Sequence, residues 1–474
     1  MVTTKFGVGS WELGVDNKMS SELGIRNWEF GIRNGLLLRT PNSPARRATP
    51  RPGRAELRTL LVLFVASSVC GCARWPRQWG AAPCQIAAKP ARDQESIGWS
   101  LIRETLVTPI EHTVNVARLG RRLAGVPTRA FNLKDGKVAD SAFFTNRDLS
   151  DLTTAEVRWG PTPPGDLPQP PYAVTKAKIE GKTPGFFVKD ARGVGYLFKL
   201  DPVGSSELLS GAEVVTSKLL YVLGYHVPSY EIAEVRPEEL QIPEGTRQND
   251  RRGRRRPLSR ADLDALLRPR LRQGVVRVSA SRLLDGEIVG PARFRRFRDC
   301  AEVRALKVVS AWVNNIDTKD HNTLLVWDGA KTTGYVIDFG TSLGADAGIG
   351  GPKSPCAGWT NIVDLSVLST ELLTLGMYRP PCEMPAQAFS PAVGLFSFRL
   401  DPRRWKPYAP NPAFEQMNNE DARWIAGRIG RLSRAHLEAA VSAGQYSNPA
   451  DAARILEVLE ARRRSIIEQY GEDE

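Results

Sequence analysis

Cysteine and histidine are scarce in this chain, and their spacing excludes several kinds of site. The 474 residues include six cysteines and four histidines, and no cysteine pair has the short spacing that a structural zinc site requires. The sequence also lacks the H-E-x-x-H and Walker A motifs. Hydrolase chemistry built on those motifs therefore has no support.

Negative charge is in deficit, since the formal net charge is +13 and the isoelectric point is near 9.6. A field of this sign suits nucleic acid, an anionic membrane or phosphorylated ligands without choosing among them. Much of the excess lies in a run that we interpret as a solvated loop: Arg251, Arg252, Arg254, Arg255 and Arg256. Because no aromatic residues interleave with the run, nucleic acid is not expected as a partner.

The first 72 residues read as a leader rather than as part of a folded domain. Residues 1–58 contain short repeats and a Pro- and Arg-rich stretch, so we expect disorder, with translation starting further down. Residues 59–69 are too short to span a bilayer but have the layout of a secretory signal, and residues 59–72 end in a loose lipobox with Cys72 as the lipidated membrane attachment. The alternative is a short buried segment. A real signal predicts export or envelope anchoring, and otherwise the chain is cytoplasmic.

Four cysteines remain beyond this leader: Cys84, Cys300, Cys356 and Cys382. In an oxidising compartment they could form two disulfides, with three possible connectivities. Isolated buried thiols are the other interpretation.

Beyond the leader, the order of predicted elements indicates an α+β fold. Residues 73–172 form an N-terminal extension and Pro-rich linker, in which two short helices are separated at Pro109. Strands then dominate residues 173–290, and helices dominate residues 291–474. This order predicts a small, mostly antiparallel sheet lobe followed by a helical lobe.

Periodicity and turn residues place individual elements within the two lobes. The predicted strands are a hairpin over residues 186–200, then 227–235, 275–281 and 287–289. The predicted helices are residues 207–223 (ending at Gly224), 301–314, 420–429, 434–442 and 449–470.

One stretch carries the chemistry. Residues 323–327 and 333–337 predict a second hairpin, with Asp317, Lys319 and Asn322 at its entry and Asp338 at its exit. Both ends of a hairpin lie side by side, so these polar groups should converge. Phosphoryl transfer needs such a cluster, because its main requirements are positioning and neutralisation of charge.

These residues resemble a known superfamily. Asp317, Lys319 and Asn322 match the D-x-K-x-x-N catalytic loop of protein kinases, and Asp338 opens a D-F-G motif. The stretch looks most like the HipA-like and phosphoinositide-kinase-like bacterial proteins, and the resemblance runs from about residue 185 to the end. The usual His-Arg before the catalytic Asp is absent, while His321 directly precedes Asn322. A bilobal protein-kinase-like fold is implied.

The resemblance also implies roles at the hairpin. Asp317 would orient or deprotonate the acceptor, and Lys319 would approach the transferred phosphoryl group. Asn322 and Asp338 would hold Mg²⁺ against the phosphates of ATP.

In the sheet lobe, the resemblance makes Lys199 a ligand of the nucleotide phosphates and Glu213 its partner on the following helix, with Glu207 as a competing partner. Gly193 and Gly195 would belong to the loop over the phosphates, although they do not complete G-x-G-x-x-G.

The function implied is an ATP- and Mg²⁺-dependent phosphotransferase acting on a hydroxyl of a protein, lipid or sugar. Two alternatives stay open. One is a catalytically weak pseudokinase that binds a partner at the cell envelope, and the other is an enzyme that transfers AMP with the nucleotide reversed.

Overall fold

The structure, a computed structural model, describes residues 84–93, 97–114, 120, 129–178, 183–249, 255–380, 382 and 387–471. The predictions for residues 1–58 and 59–72 lie outside these ranges. The described residues from 84 onward belong to one compact unit. Among the described residues, no helix combines the length and the apolar character that crossing a bilayer demands.

The N-terminal extension begins with a helical segment and continues through short elements. These are α1 (Ile97–Ile102), a π turn (Arg103–Val107), α2 (Thr108–Val114), β1 (Leu133–Lys134), β2 (Lys137–Val138) and α3 (Thr154–Trp159). The predicted break at Pro109 is wrong, because helical backbone runs from α1 through the π turn into α2. The N–H of Thr108 donates to the carbonyl of Arg103, five residues back. The wide turn thus comes just before Pro109, which has no N–H to contribute.

An eight-stranded sheet with two helices follows. Its elements are β3 (Tyr172–Lys178), β4 (Gly185–Lys189), β5 (Gly195–Leu200), α4 (Leu208–Val222), β6 (Tyr230–Val235), β7 (Leu240–Gln241), β8 (Arg247–Asn249), β9 (Arg255–Pro257), α5 (Arg260–Leu267) and β10 (Val276–Arg282). The strand order is β6-β10-β5-β4-β3-β8-β9, with β7 also paired to β3. All pairs are antiparallel except β3 with β7 and β8, so the sheet is mostly antiparallel, as predicted.

The pleat of β5 gives the sheet two different faces. Side chains alternate across a strand, and Tyr196, Phe198 and Leu200 are buried in a cluster that also contains leucines of α5. Lys199 therefore lies on the opposite face, toward α4. The hairpin β4–β5 confirms the prediction for residues 186–200, and α4 ends one residue before the predicted end, with Gly224 at a φ of 113°.

The rest of the chain is mainly helical. It contains β11 (Glu287–Gly290), α6 (Ala301–Trp312), β12 (Thr323–Trp327), β13 (Thr332–Val336), β14 (Ala345–Asp346), β15 (Gly351–Pro352), α7 (Leu365–Leu373), α8 (Asn419–Gly430), α9 (Arg434–Ala443) and α10 (Pro449–Tyr470). The prediction for α10 is confirmed to the residue. Helix α6 ends two residues early, because Asn314 adopts a left-handed φ of 52° that helical backbone does not allow.

The N-terminal extension is part of the main core rather than a spacer. Phe143 and Val157 belong to the same buried cluster as residues of α4, α6 and α10. A disulfide joins Cys84 to Cys300, the residue that caps the start of α6. The second disulfide joins Cys356 to Cys382, so the interpretation of four isolated thiols is wrong.

Candidate active site

Lys199 and Glu213 meet beneath the sheet. The Lys199 ammonium donates to Oε1 of Glu213, and the Ser279 hydroxyl donates to Oε2 of the same carboxylate. Ser279 stands directly opposite Lys199 in the β5–β10 register, so their side chains lie on the same face of the sheet. Glu213 is 2% exposed. Both of its oxygens are therefore paired, which a buried carboxylate requires.

The start of α4 decides between the two candidate glutamates. Asp201, directly after β5, accepts the backbone N–H groups of Glu207, Leu209 and Ser210 at 2.9 Å each. It thereby satisfies N–H groups that have no partner within the helix. The Glu207 carboxylate instead accepts the backbone N–H of Ser447 at 3.0 Å. The structure thus pairs Lys199 with Glu213, while Asp201 caps the helix and Glu207 bonds to the backbone of Ser447.

The β12–β13 hairpin brings Asn322 and Asp338 to one end. The N–H of Ile337 donates to the carbonyl of Asn322 at 2.9 Å, so Asp338 follows one residue beyond the paired strands. Asp338 has a φ of 61°, a left-handed conformation that costs a non-glycine residue energy and is common at functional sites. Its backbone N–H donates to the Tyr230 hydroxyl at 3.2 Å, and the ring of Tyr230 packs edge-on against Phe339.

Asp338 and Lys199 connect the hairpin to the sheet. The Lys199 ammonium donates to Oδ1 of Asp338 at 3.0 Å. Burial opposes a charged lysine here, but the carboxylates of Asp338 and Glu213 outweigh it and hold the pKa of Lys199 well above its usual value. Loss of solvation opposes ionisation of Asp338 as well, yet the Lys199 ammonium lowers the pKa of that carboxyl below its usual range. The ion pair between the two elements is thus charged on both sides at neutral pH.

The remaining predicted residues surround Asp317. The Lys319 ammonium donates to Oδ2 of Asp317 at 2.7 Å, and the Asn322 amide nitrogen donates to the Asp317 carbonyl at 2.6 Å. Burial lowers the pKa of Lys319, but Asp317 and, more weakly, Asp338 raise it above the usual value. Positive and negative side chains therefore alternate across the cluster, in the order Glu213, Lys199, Asp338, Lys319 and Asp317.

Gly193 and Gly195 lie outside this cluster, and their assignment to the phosphate loop stays a prediction. In the β4–β5 register, Lys199 faces Gly185, whereas Gly195 faces Lys189 at the other end of the hairpin. Four residues of strand separate Gly195 from Lys199, or about 13 Å. The turn is also closed on itself, since the N–H groups of residues 192 and 194 donate to the Asp190 carboxylate and that of Gly193 to its carbonyl.

The sequence-based prediction missed Ser279 and Tyr230. Both act through contacts that depend on strand pairing: Ser279 reaches Glu213 from β10, and Tyr230 reaches the Asp338 backbone from β6. Period-two patterning of β10 could have indicated which face Ser279 occupies, but nothing in the sequence states that β10 lies beside β5.

The donor set fits a hard divalent cation and a phosphate. Asn322 uses its amide nitrogen on Asp317, which leaves the amide oxygen for a cation, and Asp338 offers a second carboxylate oxygen besides the Oδ1 that accepts from Lys199. Carboxylate and amide oxygens are the ligands that Mg²⁺ and Mn²⁺ prefer. The ammonium groups of Lys199 and Lys319 lie close by to attract phosphate oxygens.

Comparisons with known proteins give only a loose likeness. No protein-family model matches this chain, and no curated protein matches it. One similar solved structure is the Golgi casein kinase with Mn/ADP bound, with 9% identity, 84% of this chain and 94% of that chain covered, and a TM-score of 0.28. Another structure of the Golgi casein kinase has 10% identity, coverages of 83% and 95%, and a TM-score of 0.26.

The likeness is weak. Both structures are of a kinase, but TM-scores this low carry no argument about the present chain, and neither structure supports a closer relationship to HipA-like proteins.

Proposed function

We propose that this chain is a nucleotide- and divalent-cation-dependent phosphotransferase acting on a hydroxyl acceptor. The observation that carries the proposal is the bridge of the Lys199 ammonium between Glu213 of α4 and Asp338 at the hairpin exit. A strand lysine paired to a helix glutamate, facing the Asp of a D-F-G motif, is the arrangement that phosphoryl transfer in protein kinases requires.

Each polar residue has a distinct task in this scheme. When bound, ATP with its cation supplies the γ-phosphoryl group and part of the neutralising charge. Asn322 and Asp338 hold the cation through oxygen atoms, and Lys199 holds phosphate oxygens. The Asp317 carboxylate takes the proton of the acceptor hydroxyl, whose oxygen forms the new bond to phosphorus as the bond to the ADP oxygen breaks. Lys319, next to Asp317, stabilises the charge on the transferred group.

The proposal is tested with the full chain and radiolabelled ATP, with Mg²⁺ and Mn²⁺ in parallel. Hydrolysis of ATP to ADP, with water as the acceptor, measures turnover without a known substrate. Incorporation of the label into the chain itself reports transfer to a hydroxyl group. We expect Asp317→Asn and Asp338→Asn to lower turnover by at least 100-fold while the fold persists. Asparagine is preferred to alanine at position 338 because it tolerates a left-handed φ. Wild-type turnover in either variant would contradict the proposal.

The position of the label separates the alternatives. Transfer of phosphate incorporates label from the γ position of ATP, whereas transfer of AMP incorporates label from the α position and releases pyrophosphate. The absence of the usual His-Arg before Asp317, where this chain has Asn315 and Ile316, favours the second candidate of a weak or inactive kinase that serves as a binding module. That candidate predicts no turnover in the wild type and no thermal stabilisation by millimolar ATP with either cation.

A further inference from the structure

The N-terminal extension reaches the catalytic loop through two adjacent residues of the π turn. The Arg103 guanidinium donates to Oδ2 of Asp320 at 2.9 Å, and the backbone N–H of Asp320 donates to Oε1 of Glu104 at 3.3 Å. Asp320 lies between Lys319 and Asn322 in the loop. Its side chain and its backbone are thus both held by a segment about 215 residues earlier in the chain.

These contacts are buried and mutually dependent. Relative exposure is 8% for Glu104 and 7% for Asp320. The Ser100 hydroxyl donates to Glu104 at 3.0 Å, and the N–H of Phe294 donates to Asp320 at 2.9 Å. A buried carboxylate that loses its donors costs free energy. The loop therefore has all of these hydrogen bonds only in the conformation that contacts Arg103 and Glu104.

We propose that Arg103 and Glu104 are positioning residues of the phosphotransferase, holding the Asp317–Asn322 loop in its productive geometry. The catalytic role of these residues rests on the proposed function, whereas their contacts with Asp320 are independent of it. Neither residue belongs to the D-x-K-x-x-N or D-F-G motifs, and both lie in the extension that precedes the sheet. The N-terminal extension then contributes to catalysis by positioning this loop.

Electrostatics support the same arrangement. Burial lowers the pKa of Lys319, Asp317 raises it most, and Glu104 adds a smaller contribution in the same direction. Burial and the nearby Asp320 carboxylate raise the pKa of Glu104 itself to about 7. Glu104 thus faces a mixed set of charges formed by Arg103, Asp320 and Lys319.

The test compares Glu104→Ala, Glu104→Gln and Arg103→Ala with a matched control, Glu111→Ala. Glu111 lies on the same helical segment, but its carboxylate is half-exposed and pairs with Arg295 at the surface. Two measurements are made on the full chain: ADP release at varied ATP, and hydrogen exchange of peptides covering residues 316–323 in the protein without nucleotide.

For Glu104→Ala we expect kcat to fall roughly 10- to 100-fold, since misplacement by about 1 Å can cost that much. KM for ATP should change much less than kcat, because Lys199, Glu213 and Asp338 are untouched and only Asn322 of the cation ligands lies in the loop. Exchange of the 316–323 peptides should accelerate. Glu104→Gln should restore most of kcat, because its amide oxygen can still accept the Asp320 N–H, and Glu111→Ala should behave as wild type.

A wild-type kcat and unchanged exchange in Glu104→Ala would overturn the inference. Should that variant fail to fold, Arg103→Ala decides: its side chain is partly exposed, and the inference requires a fall in kcat of at least fivefold with faster exchange. Failure of the proposed function looks different. In that case the wild type releases no ADP, while exchange of the loop peptides still responds to Glu104→Ala.

Discussion

Replacing Lys199 by methionine tests the central ion pair by stability as well as by activity. Methionine keeps the length of the lysine stem but removes the ammonium that neutralises Glu213 and Asp338. Removing one member of a buried ion pair costs about 3–5 kcal/mol when the partner stays charged. Here the cost should be lower, about 2–3 kcal/mol, because Glu213 can take up a proton and Asp338 is 43% exposed to water.

The expected shift in melting temperature is small but measurable. With an unfolding entropy of about 2.1 cal/mol/K per residue, the roughly 390 residues of the compact unit give about 0.8 kcal/mol per kelvin. A loss of about 2–3 kcal/mol then corresponds to a decrease of about 2.5–4 K. Nucleotide with Mg²⁺ should no longer stabilise the variant.

The stability deficit should also depend on pH. Burial and Asp338 raise the pKa of Glu213, and Lys199 opposes that rise. Without the lysine, the pKa of Glu213 rises further. A carboxyl whose pKa is higher in the folded state than in the unfolded state destabilises the protein as pH increases through that pKa. The difference between Lys199→Met and wild type should therefore be larger at about pH 8 than at about pH 5.

The assay is chemical unfolding monitored by circular dichroism, with Lys189→Met as the control. Lys189 ends the neighbouring strand and is exposed, so its replacement should change stability by less than about 0.5 kcal/mol. The double variant Lys199→Met/Glu213→Gln should be at least about 1 kcal/mol more stable than the sum of the single effects predicts. Additive effects within about 0.5 kcal/mol would refute the coupling.

Three further predictions concern other parts of the fold. Replacing both Cys84 and Cys300 by serine should lower stability by up to about 5 kcal/mol, because the disulfide closes a loop with a sequence separation of 216 residues. Reductant should lower the melting temperature of the wild type more than that of this variant, which keeps the disulfide between Cys356 and Cys382. Gly344→Ala should destabilise by more than about 3 kcal/mol in thermal denaturation, since an added Cβ would lie 2.0 Å from the carbonyl oxygen of Val393. Burial holds the pKa of Lys353 well below its usual value, so the wild type should gain stability as pH rises toward the usual lysine pKa, and Lys353→Met should lack that gain in unfolding titrations.

Local patterns in the sequence predicted most of the elements. The alternation in β5 and the turn at Asp190 identify a hairpin without further information, and helical spacing with Asn448 as cap defines α10. The spacing of Asp317 and Asn322 before a hairpin was enough to predict which polar groups converge, because the two ends of a hairpin must lie together.

Features set by long-range pairing were beyond the sequence. The resemblance to kinases implies that Gly193 belongs to the loop over the phosphates, but only the strand register shows that this hairpin tip lies at the far end from Lys199. The contact of Glu104 with Asp320 joins residues 216 apart, and no periodicity encodes such a pair. The connectivity of the four cysteines was open for the same reason.

Helix α4 is enclosed on nearly every side, since all of its residues except Tyr221 are buried. Behind it, the Lys218 ammonium is fixed to Glu231 and to the carbonyl of Trp159 from the extension. Outward rotation of the helix that carries Glu213 would expose its buried side chains to water. The free energy of that exposure makes such a rotation an unfavourable conformational change. We therefore expect the pair of Lys199 and Glu213 to stay assembled when no ligand is bound.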